Sequence, residues 1–194
     1  MGNDFTTALR PAVVLTILFA LLLGILYPLA MTGIGQALFS TQANGSLVRD
    51  AGGKVIGSTV VGQAFTSDHY FQTRPSAAGK GYDGLSSSGS NLGPAAQALV
   101  DRVKPDVARR RAEGASAIPA DLVTASGSGL DPDLSPDAAL VQAARVAHAR
   151  GLPEAQVRAL VEQGTAHPLF GFLGEVRVNV LALNRALDRI GPAH

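Results

Sequence analysis

Residues 12–39 read AVVLTILFALLLGILYPLAMTGIGQALF, and this stretch decides how the chain is organised. From Pro11 to Val48 no residue carries a charge. The strongly apolar part is about 20 residues long, the length that a helix needs to cross a bilayer core of roughly 30 Å. A helix buried in a soluble protein would show a polar face at helical spacing, and none is present. The stretch predicts a transmembrane helix, which divides the chain into a short tail at 1–10, the helix and membrane exit at 11–39, and a domain at 40–194.

A cleaved signal peptide is the competing interpretation of the same stretch. The apolar core of a signal peptide spans about 7–15 residues and ends at a small-x-small cleavage site. This stretch is longer, and Pro28 occupies the −3 place relative to Ala30. An uncleaved anchor is therefore favoured, with Pro11 in the first turn of the helix and a kink at Pro28.

The predicted anchor offers a contact face but no ion path. Ala20 and Gly24 are four residues apart and form a small-xxx-small face, which lets a second membrane helix approach closely. A single span without Asp, Glu, Lys, Arg or His cannot line an ion path by itself. Arg10 precedes the helix and Arg49 and Lys54 follow it, so the positive-inside rule only mildly favours a tail inside and a domain outside.

Composition excludes several classes of function. The chain has 16 Lys and Arg against 15 Asp and Glu, so no field of one sign indicates nucleic-acid binding. It has no cysteine, which excludes a thiol nucleophile, a thiolate zinc site and a disulfide framework. The basic run at 109–111 is interpreted as the solvated end of a helix. No metal-ligand spacing links the four histidines, which are His69, His148, His167 and His194.

The chain after the anchor predicts a small mixed α/β (α+β) domain of three or four strands and four helices. Val, Ile and Thr are frequent at 54–65, and short extended pieces at 69–77 and 119–126 complete the predicted strands. Helix formers occupy 94–114, where Pro105 is expected to kink the helix or split it in two.

The clearest helix is predicted at 136–150. Ser135 is a good N-cap, Pro136 a good first residue and Gly151 a good stop. Two further helices, at 153–164 and 177–190, follow from apolar residues at helical spacing. The residues predicted to line their buried faces are Val157, Leu160, Val161, Val180, Leu183, Leu187 and Ile190.

Two Ser/Gly-rich loops are the candidate binding residues. The first, DLVTASGSGLDPDLSPDAAL at 121–140, runs from an apolar stretch through Ser126, Gly127, Ser128 and Gly129 into a helix, which is the order used in phosphate cradles. A Walker loop also needs a lysine, and none follows Lys104. The second loop, SSSGSNLGP at 86–94, contributes Ser90 and Asn91. A structural turn is the favoured interpretation of the first loop, and a flexible connector is the favoured interpretation of the second.

No catalytic constellation stands out in the sequence. There is no G-x-S-x-G elbow to nominate a nucleophilic serine, although a Ser-His-Asp triad stays open because its members need not be close in sequence. Arg74, and Glu175 with Arg177, are charged residues among apolar or turn neighbours. They form buried ion pairs, face a partner or lie on the surface; the sequence leaves the three open.

An ordered series of short stretches resembles the C subunit of the Kdp potassium-transporting P-type ATPase. After the single span come VVGQAF, YFQTRPSA, SGSNLGP, DLVTASGSGLDPDLSPDAA, RVAHARGL, VRALVEQ and FLGEVRVNVLALN, which together cover nearly the whole chain. The chain departs from the family pattern at Asp133, where the family has His, and at Val176, where it has Pro. SSSGSNLG also replaces a more usual Ser-Gly-Gly-Ser run.

The resemblance implies an accessory, non-catalytic subunit in the bacterial cytoplasmic (inner) membrane, with the N-terminus inside and the domain outside. The implied partners are the P-type ATPase subunit, the channel-like potassium-binding subunit and a very small single-span subunit. Potassium would be carried by these partners and ATP bound through the complex, with the chain stabilising assembly and raising the ATP affinity of the ATP-hydrolysing subunit.

Two other classes of function remain as alternatives. One is a membrane-anchored nucleotide- or phosphate-binding enzyme that uses the two Ser/Gly loops. The other is a free-standing envelope binding protein without membrane partners.

Overall fold

The computed structural model describes the backbone of residues 2–191 and the side chains of residues 7–191. The chain divides into two compact units, Met1–Ser46 and Leu47–His194. The first unit is helical and the second mixes helices with short strands, which confirms the predicted fold class of a small mixed domain after one N-terminal apolar helix.

The first unit is an almost continuous helix made of α1 (Gly2–Leu21), a π-turn (Leu22–Leu26) and α2 (Tyr27–Leu38), followed by the short α3 (Ser40–Ala43). Within its segment Thr7–Leu38, a window of 18 residues has a mean hydropathy of 2.6, and no residue of that window is buried. By length and composition, it is the one helix among the described residues that can cross a membrane.

The two prolines of this helix behave differently from each other. Pro11 lies inside α1, so the prediction that it begins the helix was wrong. The π-turn ends at Leu26, two residues before Pro28, whose ring nitrogen cannot donate to the carbonyl of Gly24. The Tyr27 N–H instead donates to the carbonyl of Leu22, so the helix is irregular where the sequence predicted a kink.

The second unit contains four helices and five short strands among its described residues. In chain order these are β1 (Leu47–Arg49), β2 (Val55–Ser58), α4 (Gln97–Ala112), β3 (Asp133–Leu134), α5 (Pro136–Arg150), α6 (Glu154–Gln163), β4 (Thr165–Ala166), β5 (Arg177–Asn179) and α7 (Val180–Ile190). Strands β1 and β2 form an antiparallel hairpin, and β3, β5 and β4 form a three-stranded antiparallel sheet in that order. Helix α4 runs unbroken through Pro105, so it is not split in two.

Two strand predictions were wrong. Residues 119–126 form a 3₁₀ turn (Ala120–Leu122) and a loop, because the apolar side chains Leu122 and Val123 enter the core without a neighbouring strand to pair with. The carboxylate of Asp121 instead accepts from the N–H of Ser135 at 2.7 Å. Residues 69–77 also contain no strand.

The helix predicted at 177–190 begins three residues late. Arg177–Asn179 is the central strand β5, and the helix starts at Val180, where the Asn179 side chain caps it by accepting from the N–H of Ala182 at 3.0 Å. A strand of three residues is too short to show a period in the sequence.

The core lies where α5, α6 and α7 meet, and the helix predictions largely hold. The Ser135 hydroxyl accepts from the N–H of Ala138 at 3.1 Å, and Gly151 ends α5 with a left-handed φ of 65°. Of the seven predicted core residues, five are buried: Val157, Val161, Val180, Leu183 and Leu187. Leu160 is partly buried against the core, and Ile190, the last residue of α7, is exposed, so the prediction for Ile190 was wrong.

Candidate functional site

The two Ser/Gly loops pack against each other. The N–H of Ser88 and the hydroxyl of Ser87 both donate to the carbonyl of Ser128, at 2.9 and 3.0 Å. A side chain at Gly89 would place its Cβ only 3.0 Å from the carbonyl oxygen of Gly127. A larger residue at Gly89 would therefore need the neighbouring loop to move by a few tenths of an ångström.

Gly129 is the tightest point of this contact. Its φ is +67°, and a Cβ there would lie 2.6 Å from both the amide nitrogen of Ala78 and the carbonyl oxygen of Ser88. The hydroxyl of Ser76 donates to the Gly129 carbonyl at 2.5 Å and also accepts from the N–H of Tyr82. The first loop is thus attached through its backbone to residues 76–88.

The remaining candidate residues are placed as follows. Ser126 is buried, and its carbonyl accepts from the N–H of Gly129 at 3.2 Å. The Ser128 hydroxyl accepts from the N–H of Leu130 at 3.1 Å. Ser90 is half-buried, while Asn91 is exposed with a left-handed φ of 51°. Hydrogen-bonding groups of the first loop are therefore largely used within the domain.

The helices do not begin where a phosphate cradle requires. A phosphate-binding loop runs directly into a helix, whose free N–H groups hold the anion. Helix α5 starts at Pro136, seven residues after Gly129, and its first turn is capped by Ser135. Helix α4 starts at Gln97, six residues after Asn91.

A charged cleft of about 630 Å³ lies beside the first loop. Arg74 pairs with Asp131 at 3.0 Å, and the Nε of Arg177 pairs with Asp133 at 3.1 Å. Arg74 and Arg177 therefore both form ion pairs, and Arg74 is partly buried whereas Arg177 and Glu175 are exposed. The amide of Asn179 donates to Asp133 at 3.0 Å as well. The positive groups of the cleft are thus matched to carboxylates within it.

Metal ligands do not gather in the described part of the chain. No group of three or more His, Asp or Glu side chains stands close enough to hold an ion there. His194, one of the four histidines considered above, lies outside the described residues.

Two buried amides hold the segment that was predicted as a strand. The Asn184 side chain accepts from the N–H of Phe71 at 2.8 Å and donates to the Phe71 carbonyl at 3.0 Å. The Gln142 side chain does the same with the backbone of Gln72, at 2.9 and 3.1 Å. Residues 69–75, here called the clamped segment, therefore receive from two helices the hydrogen bonds that a neighbouring strand would supply.

Buried arginines complete this polar layer. Arg110 is only 1% exposed, pairs with Glu113 at 2.9 Å and donates to the Gln72 side chain at 3.0 Å. The interpretation of 109–111 as a solvated helix end was therefore wrong for Arg110, which turns inward from a helix end whose other arginines are exposed. Arg145 donates to the carbonyl of Tyr70 at 3.1 Å. Burial lowers the pKa of Arg145, and the nearby Glu113 carboxylate opposes this shift.

The sequence alone did not predict that Gln142 and Asn184 bind the clamped segment. Gln142 and Asn184 are single polar residues on otherwise apolar helix faces. Asn184 gives the clearer indication, because it follows Leu183 in a helix whose apolar face is predicted to be buried. A buried amide needs hydrogen-bond partners.

Comparison with known proteins identifies the family. Residues 9–189 match the family model described as KdpC: K+-transporting ATPase, c chain. The chain is 61% identical to the Potassium-transporting ATPase KdpC subunit of Caulobacter vibrioides (strain NA1000 / CB15N) over 181 residues, which cover 93% of this chain and 92% of that protein. It is 53% identical to the KdpC subunit of Rhodopseudomonas palustris (strain ATCC BAA-98 / CGA009), covering 94% of this chain and 97% of that protein. It is also 53% identical to the KdpC subunit of Myxococcus xanthus, covering 99% of this chain and 91% of that protein. The chain therefore belongs to the KdpC family, the membrane-associated c chains of the potassium-transporting ATPase complex.

Proposed function

We propose that the chain is a non-catalytic accessory subunit that stabilises the assembled potassium importer and raises the ATP affinity of its ATP-hydrolysing subunit. The observation that carries this proposal is family membership over residues 9–189. The packing of the Ser/Gly loops supports the non-catalytic role, because the carbonyls of Ser128 and Gly129 accept hydrogen bonds from other parts of the domain. These loops are proposed to be structural joints.

The proposed partners are the P-type ATPase subunit, the channel-like potassium-binding subunit and the very small single-span subunit. Residues 11–38 contain no side chain with a full charge, so potassium must pass through another subunit. Ala20 in α1 and Gly24 in the π-turn are proposed to pack against a partner helix. Space for this is available, since nothing lies within 4 Å of a Cβ built on Gly24.

The proposed topology places residues 1–10 inside the cell and the domain, residues 40–194, outside it. Arg10 lies at the N-terminal edge of the apolar segment, which supports a cytoplasmic N-terminus under the positive-inside rule. ATP is cytoplasmic, so an outside domain can change ATP affinity only through contacts that favour one conformation of the ATPase subunit. Direct nucleotide binding by this chain is not required.

The first test is co-purification of the tagged full-length chain, in mild detergent, from membranes of potassium-limited cells. We expect a stoichiometric P-type ATPase subunit and a large polytopic partner. A folded chain that is recovered alone would overturn the proposal and favour the envelope binding protein.

The second test separates assistance from catalysis. ATP hydrolysis by the purified complex is measured with and without this chain, and removal is expected to raise the apparent KM for ATP. Equilibrium binding of an ATP analogue to the full chain alone is the control. Binding that is lost in Ser126→Ala and Ser128→Ala variants would favour the membrane-anchored nucleotide-binding enzyme instead.

A further inference from the structure

Large apolar side chains are concentrated at one exposed turn of the domain. Six of them in the described part of the domain are more than half exposed, and four of the six lie within residues 169–173. Their exposed fractions are 63% for Leu169, 79% for Phe170, 75% for Phe172 and 53% for Leu173. Residues 168–174 are here called the aromatic tip.

The aromatic tip has a defined conformation. Leu169 and Leu173 form an antiparallel bridge, with N–H to carbonyl distances of 3.1 and 3.0 Å in the two directions. Gly171 has a φ of 79°, and Phe170 has a φ of 55°, which is an uncommon conformation for a bulky side chain. The bridge holds the Phe170 and Phe172 rings side by side, with centroids 6.5 Å apart and planes 29° from parallel.

The two phenylalanine rings lie outside the core of the domain. Neither phenylalanine belongs to the hydrophobic core or packs against it. An exposed apolar group of this kind on a soluble surface marks a site of interaction. Two rings on a rigid turn also lose little conformational freedom on binding, which favours insertion into a preformed pocket.

We propose that the aromatic tip inserts into an apolar pocket of a companion protein subunit of the potassium-transporting complex. This inference rests on the proposed function, which requires that the chain assemble with other subunits. The tip and its surroundings have the composition of a protein interface, with aromatic residues at the centre and polar residues at the rim. That rim begins at Glu175 and Arg177, which follow the tip and line the charged cleft.

The charge around the tip favours a protein partner over a lipid surface. Segments that recognise anionic lipid carry clusters of about four to eight Lys and Arg. Residues 164–179 contain one arginine and one glutamate, and that arginine, Arg177, is paired with Asp133. A charge-balanced rim gives no attraction to a negative membrane, whereas it suits a protein pocket with charged groups of both signs.

The decisive experiment compares two exposed apolar sites in the full-length chain. The double variant Phe170→Ser/Phe172→Ser removes both rings, and Leu85→Ser is the matched control, because Leu85 is fully exposed in another loop. Recovery of companion subunits with the tagged chain is expected to fall about ten-fold or more for the tip variant, as for a pair of interface hot spots, and to stay unchanged for Leu85→Ser. Recovery that is equal for the tip variant and wild type would overturn this inference. The proposed function itself would fail differently, since wild type would then come down alone.

Labelling at a single cysteine identifies what covers the tip. The chain has no cysteine, so Glu175→Cys beside the tip and Leu85→Cys as the control each provide one reactive thiol. We expect the thiol at 175 to react with a maleimide in the lone chain in a nanodisc and to be protected only in the assembled complex. Protection of the thiol at 175 already in the lone chain would overturn the inference, in favour of a second copy if the lone chain self-associates and of a lipid surface if it stays monomeric.

Discussion

The clamped segment and the aromatic tip both lack regular strands, but their side chains are used in opposite ways. In the clamped segment, residues 69–75, backbone groups are enclosed and bonded to Asn184, Gln142 and Arg145. In the tip, residues 168–174, backbone groups bond to each other and the apolar side chains face outward. The first arrangement contributes to the stability of the domain, whereas the second leaves apolar surface that only another molecule can bury. Substitutions in the two regions should therefore affect different measurements.

The largest effect on stability is expected for Asn184→Ala. The change leaves the buried N–H and carbonyl of Phe71 without partners, and each unpaired buried group costs about 1–3 kcal/mol. We expect the free energy of unfolding to fall by about 3 kcal/mol, measured by urea unfolding of the full chain in detergent and followed by far-ultraviolet circular dichroism.

Gln156→Ala is the matched control for this change, because Gln156 is an exposed amide on α6. It is expected to alter the free energy of unfolding by less than about 0.5 kcal/mol. If Asn184→Ala lowered the free energy of unfolding no more than Gln156→Ala does, the hydrogen bonds from Asn184 to the clamped segment would not stabilise the domain.

The next effect is expected for Gly129→Ala, which tests the joint between the two Ser/Gly loops. An alanine at a φ of +67° costs about 1–2 kcal/mol, and its Cβ would also press on the backbone of Ala78 and Ser88. We expect a total loss of about 2–3 kcal/mol in the same unfolding measurement.

Gly127→Ala, in the same loop, provides the internal comparison. Nothing lies within 4 Å of a Cβ built on Gly127, so this change should shift the free energy of unfolding by less than about 0.5 kcal/mol. Equal changes in the free energy of unfolding for the two variants would show that the contact at Gly129 does not constrain the loop.

The sequence predicts those parts of the structure that depend on local signals. The apolar run at 12–39, the caps of α5 at Ser135 and Gly151, and the buried face of α6 and α7 are all short-range patterns, and they agree with the structure. The strand predictions at 69–77 and 119–126 failed because whether an extended segment joins a sheet depends on distant residues. Phe71 is bonded to Asn184, which lies 113 residues away in the sequence.

The candidate site divides in the same way. Glycine and serine frequency marked the first loop as a turn and the second as a connector. Only the fold shows that they meet, since Ser88 and Ser128 lie far apart in the sequence and bond at 2.9 Å. The aromatic tip gave no signal either, because HPLFGFLG reads equally well as a buried apolar turn. Its exposure depends on where α6 ends and β5 begins, which apolar periodicity does not determine.

The smallest effect on stability is expected at the aromatic tip, and it sharpens the comparison most. Phe170→Ser/Phe172→Ser removes two rings that lie outside the core, so the free energy of unfolding of the lone chain should change by less than about 0.5 kcal/mol. A loss as large as that expected for Gly129→Ala would mean that the rings support the domain, and a weakened assembly could then be explained by misfolding. Unchanged stability, together with a lost complex, would assign the two rings to recognition, because the same substitution would then separate what folds the domain from what binds its partner.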